Sequence, residues 1–279
     1  MGIGCKRITN KLKIMSDEKF VLITGAGKGL GKAFARQCAE MGFNMILLAL
    51  PGENTHSLAR HIQHQFEVEV LVYELDMCDE QMLATTLKEI SDRYQVFFLI
   101  NNAGIGGTAS ITTATFQALD RIISLNVKAG VQVTSAMIPV LSQFKESYIL
   151  NVASMAAFAP IAYKTVYPAS KAFIASFSMG LREELKEQGV SVSILYPGPI
   201  MTNCNVSGRI LAQGFVARMG LINTDAIARA AIRKCLNKKA RIVPGIWNRV
   251  TAKLLEWLPV DTALHLISSS VKRELSYNF

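Results

Sequence analysis

Residues 19–31 read KFVLITGAGKGLG, an apolar run that leads directly into a turn with glycines at positions 25, 29 and 31. The apolar run predicts a buried strand, and the pattern of residues 30–42 predicts the helix that follows it. Glycines let the turn tighten and let a phosphate approach the backbone, while the helix start presents free N–H groups and a positive end. We therefore predict a strand, a pyrophosphate-binding turn and a helix, which form the first unit of a dinucleotide-binding fold.

The rest of the chain repeats this alternation of short apolar runs and helical patterns. Five further runs, beginning at residues 44, 67, 96, 147 and 190, read NMILLAL, EVEVLVYELD, VFFLINNAG, SYILNVAS and VSVSILYPG. IVPG, at residues 242–245, is a candidate seventh strand. Continuous apolar strands separated by helices predict a parallel sheet covered on both faces. We therefore predict an α/β fold with a doubly wound parallel sheet of the Rossmann type, in which ligands bind beyond the carboxyl ends of the strands.

The chain divides into three parts. Residues 1–17 form a basic arm that we expect to be disordered, residues 18–245 form one dinucleotide-binding catalytic domain, and residues 246–279 form a helical tail. Within the domain, the apolar segment at about 199–221 predicts a substrate loop. Three placements stay open for the tail, which is helical in pattern until Pro259: packing on the domain, association of two copies, or contact with a membrane surface.

Composition excludes several classes of protein. No apolar run reaches the ~18 residues of a membrane-spanning helix, and the first residues lack the apolar core of a secretory signal. The five cysteines, at positions 5, 38, 78, 204 and 235, form no CxxC pair, so we predict neither a disulfide framework nor a metal site. A cytoplasmic location is the simplest interpretation. The net charge of +9 suits an anionic lipid surface or simple solubility, and without a nucleic-acid-binding motif we predict no nucleic-acid partner.

The end of the second strand indicates which dinucleotide fits. An acid placed there would hold the ribose hydroxyls of NAD and repel the 2′-phosphate of NADP. The sequence at this strand end is LALPGEN, and its only acid, Glu53, comes several residues late. Lys28, inside the glycine turn, is a candidate partner for a 2′-phosphate, with a solvated loop lysine as the alternative. We predict NADP(H) as the preferred cofactor and NAD(H) as the second choice.

Seven short segments follow one another through the catalytic domain. They are TGAGKGLG at 24–31, Asp76 after the third strand, NNAG at 101–104, Asn126 in SLNV, Ser154 in NVAS, YPASK at 167–171 and PGPIMT at 197–202. Together they resemble the short-chain dehydrogenase/reductase family, and the resemblance covers residues 20–202. It implies a nicotinamide-dependent oxidoreductase that acts on a carbonyl or an alcohol.

The chemistry of residues 167–171 agrees with a proton-transfer role. A phenol with a pKa of about 10 is a weak acid near neutrality. Lys171 comes four residues after Tyr167, so it lies one helical turn away on the same face, and its ammonium group is expected to lower the pKa of the phenol. Tyr163 has a tyrosine rather than a lysine four residues ahead, so we exclude it. Ser154, at the neighbouring strand end, is a candidate hydrogen-bond donor to a substrate carbonyl.

The resemblance implies a role for each of these residues. Tyr167 is the general acid or base, Lys171 also binds the nicotinamide ribose, and Ser154 positions the carbonyl. Asn126 anchors a water that links Lys171 to solvent. From the residues alone, the alternatives are a surface Tyr–Lys pair, a capping serine and a buried structural asparagine.

The resemblance also implies the cofactor contacts. Asp76 accepts a hydrogen bond from the adenine amino group, although the sequence DMCDE at 76–80 also suits a helix N-cap. Small residues after the fourth strand border the adenine ribose, Pro197 and Gly198 line the nicotinamide, and Thr202 lies near its carboxamide. The predicted cofactor-binding residues are Gly25, Gly27, Lys28, Gly29, Leu30, Gly31, Asp76, Met77, Asn102, Ala103, Gly104, Tyr167, Lys171, Pro197, Gly198 and Thr202.

The substrate end of the chain carries weaker signals. The loop at about 199–221 is rich in large apolar residues, which predicts a lid over a hydrophobic ketone or secondary alcohol, lipid-like or steroid-like. Packing of these residues onto the domain is the alternative. We predict a homo-oligomeric enzyme of lipid metabolism, with peripheral membrane contact as an option, and the resemblance implies reduction of the ketone as the cellular direction. Two rival functions stay open: a 3-oxoacyl-thioester reductase of fatty-acid synthesis, and a non-catalytic dinucleotide-sensing scaffold.

Overall fold

A parallel sheet of seven strands forms the centre of the computed structural model, which describes residues 19–106, 110–198 and 222–276. The spatial order is β3-β2-β1-β4-β5-β6-β7. The direction of winding reverses between β1 and β4, so a crevice opens beyond the carboxyl ends of these two strands. The predicted doubly wound α/β fold is confirmed. The strands are β1 (Lys19–Thr24), β2 (Asn44–Ala49), β3 (Val70–Glu74), β4 (Gln95–Asn101), β5 (Ser147–Val152), β6 (Val190–Leu195) and β7 (Arg241–Ile242).

Helices cover both faces of the sheet. In the described residues they are α1 (Gly29–Glu40), α2 (Thr55–Phe66), α3 (Glu80–Arg93), α4 (Phe116–Ile123), α5 (Gly130–Leu141), α6 (Val166–Glu184), α7 (Thr224–Leu236), α8 (Ile246–Trp257) and α9 (Val260–Ser276). None of these helices is both long enough and apolar enough to cross a membrane.

Two apolar layers hold the helices on the sheet. On one face, α1 and α7 contribute buried residues such as Phe34 and Ile232. On the other face, α3, α5 and α6 contribute residues such as Leu83, Val133 and Leu181. Every residue of β5 and β6 is buried, as expected for strands of a parallel sheet that is covered on both faces. Full burial of one such large side chain stabilises the fold by about 1.5–3 kcal/mol.

The segment before β5 is helical but is not one regular α-helix. A π-helical turn, Ser124–Ala129, joins α4 to α5, and α5 runs two residues past Pro139 to Leu141. A proline so near a helix end removes only one backbone donor from the last turn, so the helix continues. Turns of the π type are rare and often mark functional sites. This one carries Asn126, which is buried to 3% exposure.

Three parts of the prediction fall outside the described residues: the arm at 1–17, the substrate loop at 199–221 and Thr202 within that loop. They stay predictions. The tail is helical on both sides of Pro259, because α8 ends at Trp257 and α9 begins at Val260.

Candidate active site

The glycine turn after β1 forms a close-fitting backbone cradle. Gly25 has a φ of +64°, and a Cβ atom there would lie 2.8 Å from the Cα atom of Ala103. A Cβ atom on Gly31 would lie 1.9 Å from the carbonyl oxygen of Gly25. Leu30 points its side chain into the core, so only its backbone faces the turn. The first N–H groups of α1 have no partner within the helix, and the cradle therefore fits a pyrophosphate.

The ends of β1 and β4 are fastened together by polar side chains. The Thr24 hydroxyl accepts hydrogen bonds from the backbone N–H groups of Asn102 and Ala103, both at 3.0 Å. In the opposite direction, the side-chain amide of Asn102 donates hydrogen bonds to the carbonyl oxygens of Thr24 at 3.0 Å and Gly25 at 3.1 Å. The predicted cofactor residue Asn102 is thus also a clamp that fixes the shape of the glycine turn.

The loop after β2 brings an acid onto the glycine turn. A Cβ atom on Gly27 would lie 2.4 Å from an Oε atom of Glu53, and the other Glu53 oxygen lies 3.4 Å from the Lys28 ammonium. The Glu53 side chain is 17% exposed, whereas that of Lys28 is 73% exposed. Glu53, although several residues past the end of β2, is therefore in contact with the glycine turn. The loop turns back at Gly52 and Asn54, which both have positive φ angles, and this reversal carries Glu53 over the turn.

Asp76 follows β3, the edge strand that lies next to β2 in the sheet. One carboxylate oxygen accepts from the backbone N–H of Cys78 at 3.0 Å, and the other pairs with Arg121 of α4 at 3.0 Å. The Cys78 N–H and then the Arg121 guanidinium hold the pKa of Asp76 below its usual value. The stretch DMCDE does contain the N-cap of α3, as the alternative suggested, but the capping residue is Asp79, which accepts from the N–H of Met82 at 2.9 Å.

Tyr167 and Lys171 share one face of α6, as the four-residue spacing predicted. The Lys171 ammonium lies 6.0 Å from the centre of the Tyr167 ring and donates to the carbonyl oxygen of Val152 at 3.0 Å. Burial to 5% exposure lowers the pKa of Lys171 to about 8. Burial also raises the pKa of Tyr167, and a hydrogen bond from Ser154 offsets part of that rise. The expectation of a lowered pKa for the phenol is therefore not met, because desolvation raises this pKa by more than the hydrogen bond lowers it.

Asn126 ties the loop after β4 to α6. Its Oδ1 atom accepts from the N–H of Ile105 at 2.8 Å, and its amide donates to the Ile105 carbonyl at 2.9 Å and to Ser170 Oγ at 3.0 Å. A Cβ atom on Gly104 would lie 3.1 Å from both Asn126 Oδ1 and Lys171 Nζ. The two side chains therefore border the same space beside this glycine.

A small cavity adjoins Lys171. Its volume is about 20 Å³, and its lining includes Asn126, Lys171, Asn151 and the predicted cofactor residue Met77. A space of this size holds about one water molecule, and the polar lining supplies the hydrogen-bond partners that such a water needs. The cavity thus fits the predicted water between Asn126 and Lys171.

Ser154 stands at the end of β5 with two contacts. Its hydroxyl accepts a hydrogen bond from the N–H of Ala156 at 3.1 Å and caps the 3₁₀ turn Met155–Phe158. Ser154 is therefore a capping serine, as the alternative proposed. The same hydroxyl is hydrogen-bonded to the Tyr167 phenol. Two groups able to bind one carbonyl oxygen thus lie side by side at the sheet edge.

The end of β6 meets the C-terminal helices. The N–H of Met155 donates to the carbonyl oxygen of Pro197 at 3.0 Å. A Cβ atom on Gly198 would lie 2.6 Å from Nδ2 of Asn248, a residue of α8 that is 5% exposed. The N–H of Ala162, in the loop before α6, donates to Ser268 Oγ of α9 at 3.0 Å. The tail therefore forms part of the wall around the predicted nicotinamide end of the site.

Comparison with known proteins shows to which family this chain belongs. Residues 19–209 match the family described as short chain dehydrogenase, which is more than half of the chain. The chain belongs to this family. A very-long-chain 3-oxoacyl-CoA reductase of Neurospora crassa is 32% identical over 234 residues, which span 81% of this chain and 67% of the relative.

Two solved structures are similar to this short-chain dehydrogenase. A short-chain dehydrogenase from Sphingobium yanoikuyae in complex with NADPH is 26% identical, with a TM-score of 0.73 over 86% of this chain and 96% of that one. A bulky-bulky ketone specific alcohol dehydrogenase from Comamonas testosteroni is 25% identical, with a TM-score of 0.72 over 86% and 94%. The protein is therefore an oxidoreductase that acts on alcohol or ketone groups with a nicotinamide cofactor.

Several residues around the site of this short-chain dehydrogenase were not predicted from its sequence. Thr24 had a usable signal, since a polar residue ends an otherwise apolar buried strand. Arg121 and Asn248 had no such signal in the sequence. Arg121 contacts Asp76 and Asn248 contacts Gly198, and the two residues of each pair lie 45 or more positions apart in the chain. Among the described residues, no group of three or more His, Cys, Asp or Glu side chains is placed to hold a metal ion.

Proposed function

We propose that this short-chain dehydrogenase transfers hydride between NADP(H) and a hydrophobic ketone or secondary alcohol, with ketone reduction as the cellular direction. The observation that carries the proposal is the meeting of Ser154, Tyr167 and Lys171 at the carboxyl edge of the sheet, beside the glycine cradle. A substrate oxygen bound there would touch two hydroxyl groups at once.

We assign the roles as follows, with the cofactor supplying the hydride that attacks the carbonyl carbon. The Tyr167 phenol donates its proton to the carbonyl oxygen, which becomes the alcohol hydroxyl, and Ser154 donates a second hydrogen bond to that oxygen. Lys171, cationic below its pKa of about 8, stabilises the phenolate that the transfer leaves. Asn126 holds the water through which the phenolate regains a proton. In the oxidation of an alcohol the same steps run backwards.

NADP(H) is the proposed preference because Lys28 extends into solvent at the rim of the glycine turn. An ammonium there can pair with a 2′-phosphate. The solved relative from Sphingobium yanoikuyae, at 26% identity, carries NADPH. Glu53 opposes this preference, since its carboxylate already pairs with Lys28 and would repel the phosphate. We therefore propose that NADP(H) binds more tightly while NAD(H) is still accepted.

Large apolar ketones are the proposed substrates. The Comamonas relative is named for bulky ketones, and the Neurospora relative for 3-oxoacyl-CoA. The second name also favours a second candidate, a 3-oxoacyl-thioester reductase. Both candidate enzymes reduce a ketone by the same chemistry. They differ in whether the substrate must also carry a thioester group near that ketone.

A panel assay tests the proposal and separates the two candidates. The purified chain is mixed with NADPH, or with NADH, and with steroid ketones, other bulky ketones, and matched 3-oxoacyl thioesters and 3-oxoacyl esters. Loss of the reduced-nicotinamide absorbance with bulky ketones or simple esters supports the main proposal. Turnover confined to the thioesters supports the second candidate. No turnover with any ketone would contradict both.

We also propose that the enzyme is a cytoplasmic homo-oligomer. Phe173 of α6 is 43% exposed and stacks on Phe177 with ring centres 6.0 Å apart, which leaves an aromatic pair on the surface that a second copy can cover. Cys38, Cys78 and Cys235 are free thiols, and a reducing compartment keeps them so. Light scattering of the wild type and of Phe173→Ser tests the oligomer, since the variant is expected to shift towards the monomer.

A further inference from the structure

Helix α8 has two faces of opposite character. Its inner face, with Asn248 at 5% and Ala252 at 4% exposure, packs on the domain. On the outer side, large apolar residues are more than half exposed: Ile246, Trp247, Val250, Leu254 and Trp257, the last at 87%. At about 100° of rotation per residue, these five side chains fall within roughly 100° of arc. We call them the outer stripe.

Basic residues border the outer stripe along one edge. Arg249 and Lys253, one turn apart, are both exposed, and neither forms an ion pair with an acid in the described part of the chain. The sole acid of α8, Glu256, is paired with Arg241. The helix therefore presents an apolar strip with an uncompensated positive edge.

We propose that α8 docks on the surface of an anionic lipid bilayer, with the helix lying in the plane of the interface. Helices with this pattern, apolar and aromatic on one side and basic beside it, bind such interfaces through apolar burial and attraction to anionic headgroups. Tryptophan suits this position because its ring is largely apolar while its N–H remains able to reach water. Trp247 and Trp257 lie near opposite ends of the stripe, so both rings enter the interface when the helix lies flat.

A second copy of the chain fits the outer stripe less well. In a twofold-symmetric pair, one patch packs against the same patch of its partner. Antiparallel packing of two α8 helices would then place the edge of Arg249 and Lys253 beside the same edge of the partner, and like charges repel. An anionic bilayer surface can instead bury the outer stripe among its lipid chains and attract the positive edge with its headgroups.

The inner face of α8 connects the docking surface to the candidate site. Asn248 fills the space beside Gly198, where the nicotinamide end is predicted. A bilayer held by the outer stripe would then lie one helix diameter from the substrate end, within reach of an apolar ketone dissolved in the membrane. This consequence for the substrate rests on the proposed function, whereas the docking itself does not.

The fluorescence of the wild-type chain reports docking directly. The chain has only two tryptophans, Trp247 and Trp257, and both belong to the outer stripe. Vesicles of phosphatidylcholine, with or without phosphatidylserine, are added to the full-length protein in the absence of substrate and cofactor. We expect a blue shift of the emission with phosphatidylserine vesicles, quenching by brominated lipid, and weaker binding at high salt. Unchanged emission with both kinds of vesicle would overturn the proposal.

Variants separate the apolar and the charged contributions in a vesicle flotation assay. Val250→Ser with Leu254→Ser is expected to weaken binding at least about tenfold, since two large apolar side chains no longer enter the interface. Arg249→Gln with Lys253→Gln is expected to weaken binding to phosphatidylserine vesicles roughly tenfold or more, because each cation near an anionic surface contributes about fivefold. Met179→Ser, a change at an exposed apolar residue of α6, is the matched control and should bind like the wild type.

Two further outcomes count against the proposal. If Val250→Ser with Leu254→Ser converts a dimer to a monomer in light scattering and leaves vesicle binding unchanged, a second copy covers the stripe. If the Gln variants bind phosphatidylserine vesicles as tightly as the wild type, the positive edge plays no part. Circular dichroism and NADPH binding confirm that each variant is folded. Activity in solution does not depend on any of these results, so a failure here leaves the proposed function standing.

Discussion

The two ends of the candidate site differ in how deeply their charged groups are buried. At the predicted nicotinamide end, Lys171 is 5% exposed and Asn126 is 3% exposed, and both are held by hydrogen bonds to backbone groups. At the predicted adenosine end, Lys28 and the pair of Arg121 with Asp76 are exposed, and only Glu53, at 17%, is largely covered. Of the two ends, the predicted nicotinamide end is the one whose charged group is removed from water.

The depth of burial determines how strongly a substitution of each charged group changes the rate, the stability or the cofactor affinity. Desolvation shifts the pKa of Lys171 and of Tyr167, because burial removes most of the water that would stabilise their charged forms. Ion pairs at a surface are screened by water and salt and contribute little individually. Substitutions at the buried end should therefore change the rate or the stability strongly, and those at the exposed end should change cofactor affinity slightly.

The largest effect is expected for Tyr167→Phe, which removes the proton donor and keeps the ring. The turnover number should fall by about a thousandfold, within the range of general acid catalysis, while the dissociation constant for NADPH stays within twofold. Steady-state kinetics and cofactor fluorescence measure the two quantities. Tyr163→Phe is the matched control and should retain full turnover. Equal losses in the two variants would mean that the hydroxyl of Tyr167 has no special role.

A change of the free energy of unfolding with pH is expected from Lys171. The pKa of Lys171 is about 8 in the folded protein, whereas the ordinary pKa of a lysine is 10.5. Between about pH 8 and pH 10.5 the unfolded chain therefore keeps a proton on this lysine that the folded protein has released. Stability therefore rises with pH across this window, and at neutral pH the buried charge costs about 3 kcal/mol.

Lys171→Met tests this linkage and should also abolish most of the turnover. At pH about 7 the variant is expected to be more stable than the wild type by up to about 3 kcal/mol, and the difference should shrink towards pH about 10. Urea unfolding at the two pH values measures it, with the exposed Lys88→Met as control. A difference that does not vary with pH would show that Lys171 does not titrate in this window.

A smaller effect is expected for Glu53→Gln at the exposed end. Removing the carboxylate frees Lys28 and removes repulsion of a 2′-phosphate, so NADPH should bind about two- to fivefold more tightly, as suits an exposed pair. NADH affinity should change less. Fluorescence titration with both cofactors measures the ratio, and Lys28→Ala should shift it the opposite way. Weaker NADH binding with unchanged NADPH binding would instead make Glu53 a ribose ligand of an NAD(H) enzyme.

The smallest effect is expected for Arg121→Ala. Asp76 keeps its hydrogen bond from the N–H of Cys78, so the loss of an exposed partner should weaken cofactor binding by only about twofold. The turnover number should not change. Lys128→Ala, which breaks a similarly exposed pair with Glu80, is the matched control and should have no effect on cofactor affinity. A tenfold loss for Arg121→Ala would mean that this exposed ion pair orders the adenosine pocket.

Local patterns were enough to predict the fold and to bring the central residues together. The glycine turn after β1 and the apolar strands fix the parallel sheet, and its carboxyl edge gathers Ser154 and the start of α6. The spacing of Tyr167 and Lys171 then follows from helix geometry, because residues four apart share a face. Each of these inferences uses neighbours within one element or the general rule for strand ends.

Contacts that depend on loop shape or on desolvation could not be read from the sequence. Glu53 reaches the glycine turn from a loop in which Gly52 and Asn54, a non-glycine residue with a φ of +57°, both adopt positive φ angles. The pKa of Tyr167 is raised because burial removes water from around the phenol, and the four-residue spacing carries no information about that burial. Asn248 meets Gly198 across 50 residues, and no pattern in either segment indicates the other.

The most direct test is a crystal structure of the chain with NADP⁺ and an unreactive alcohol or ketone analogue identified by the panel assay. We predict that the ligand oxygen lies within about 3.2 Å of both Tyr167 Oη and Ser154 Oγ, a hydrogen-bonding distance, with Lys171 near the nicotinamide ribose. A bound ligand whose oxygen contacts neither hydroxyl, or a nicotinamide ring seated away from this edge of the sheet, would contradict the proposed proton transfer.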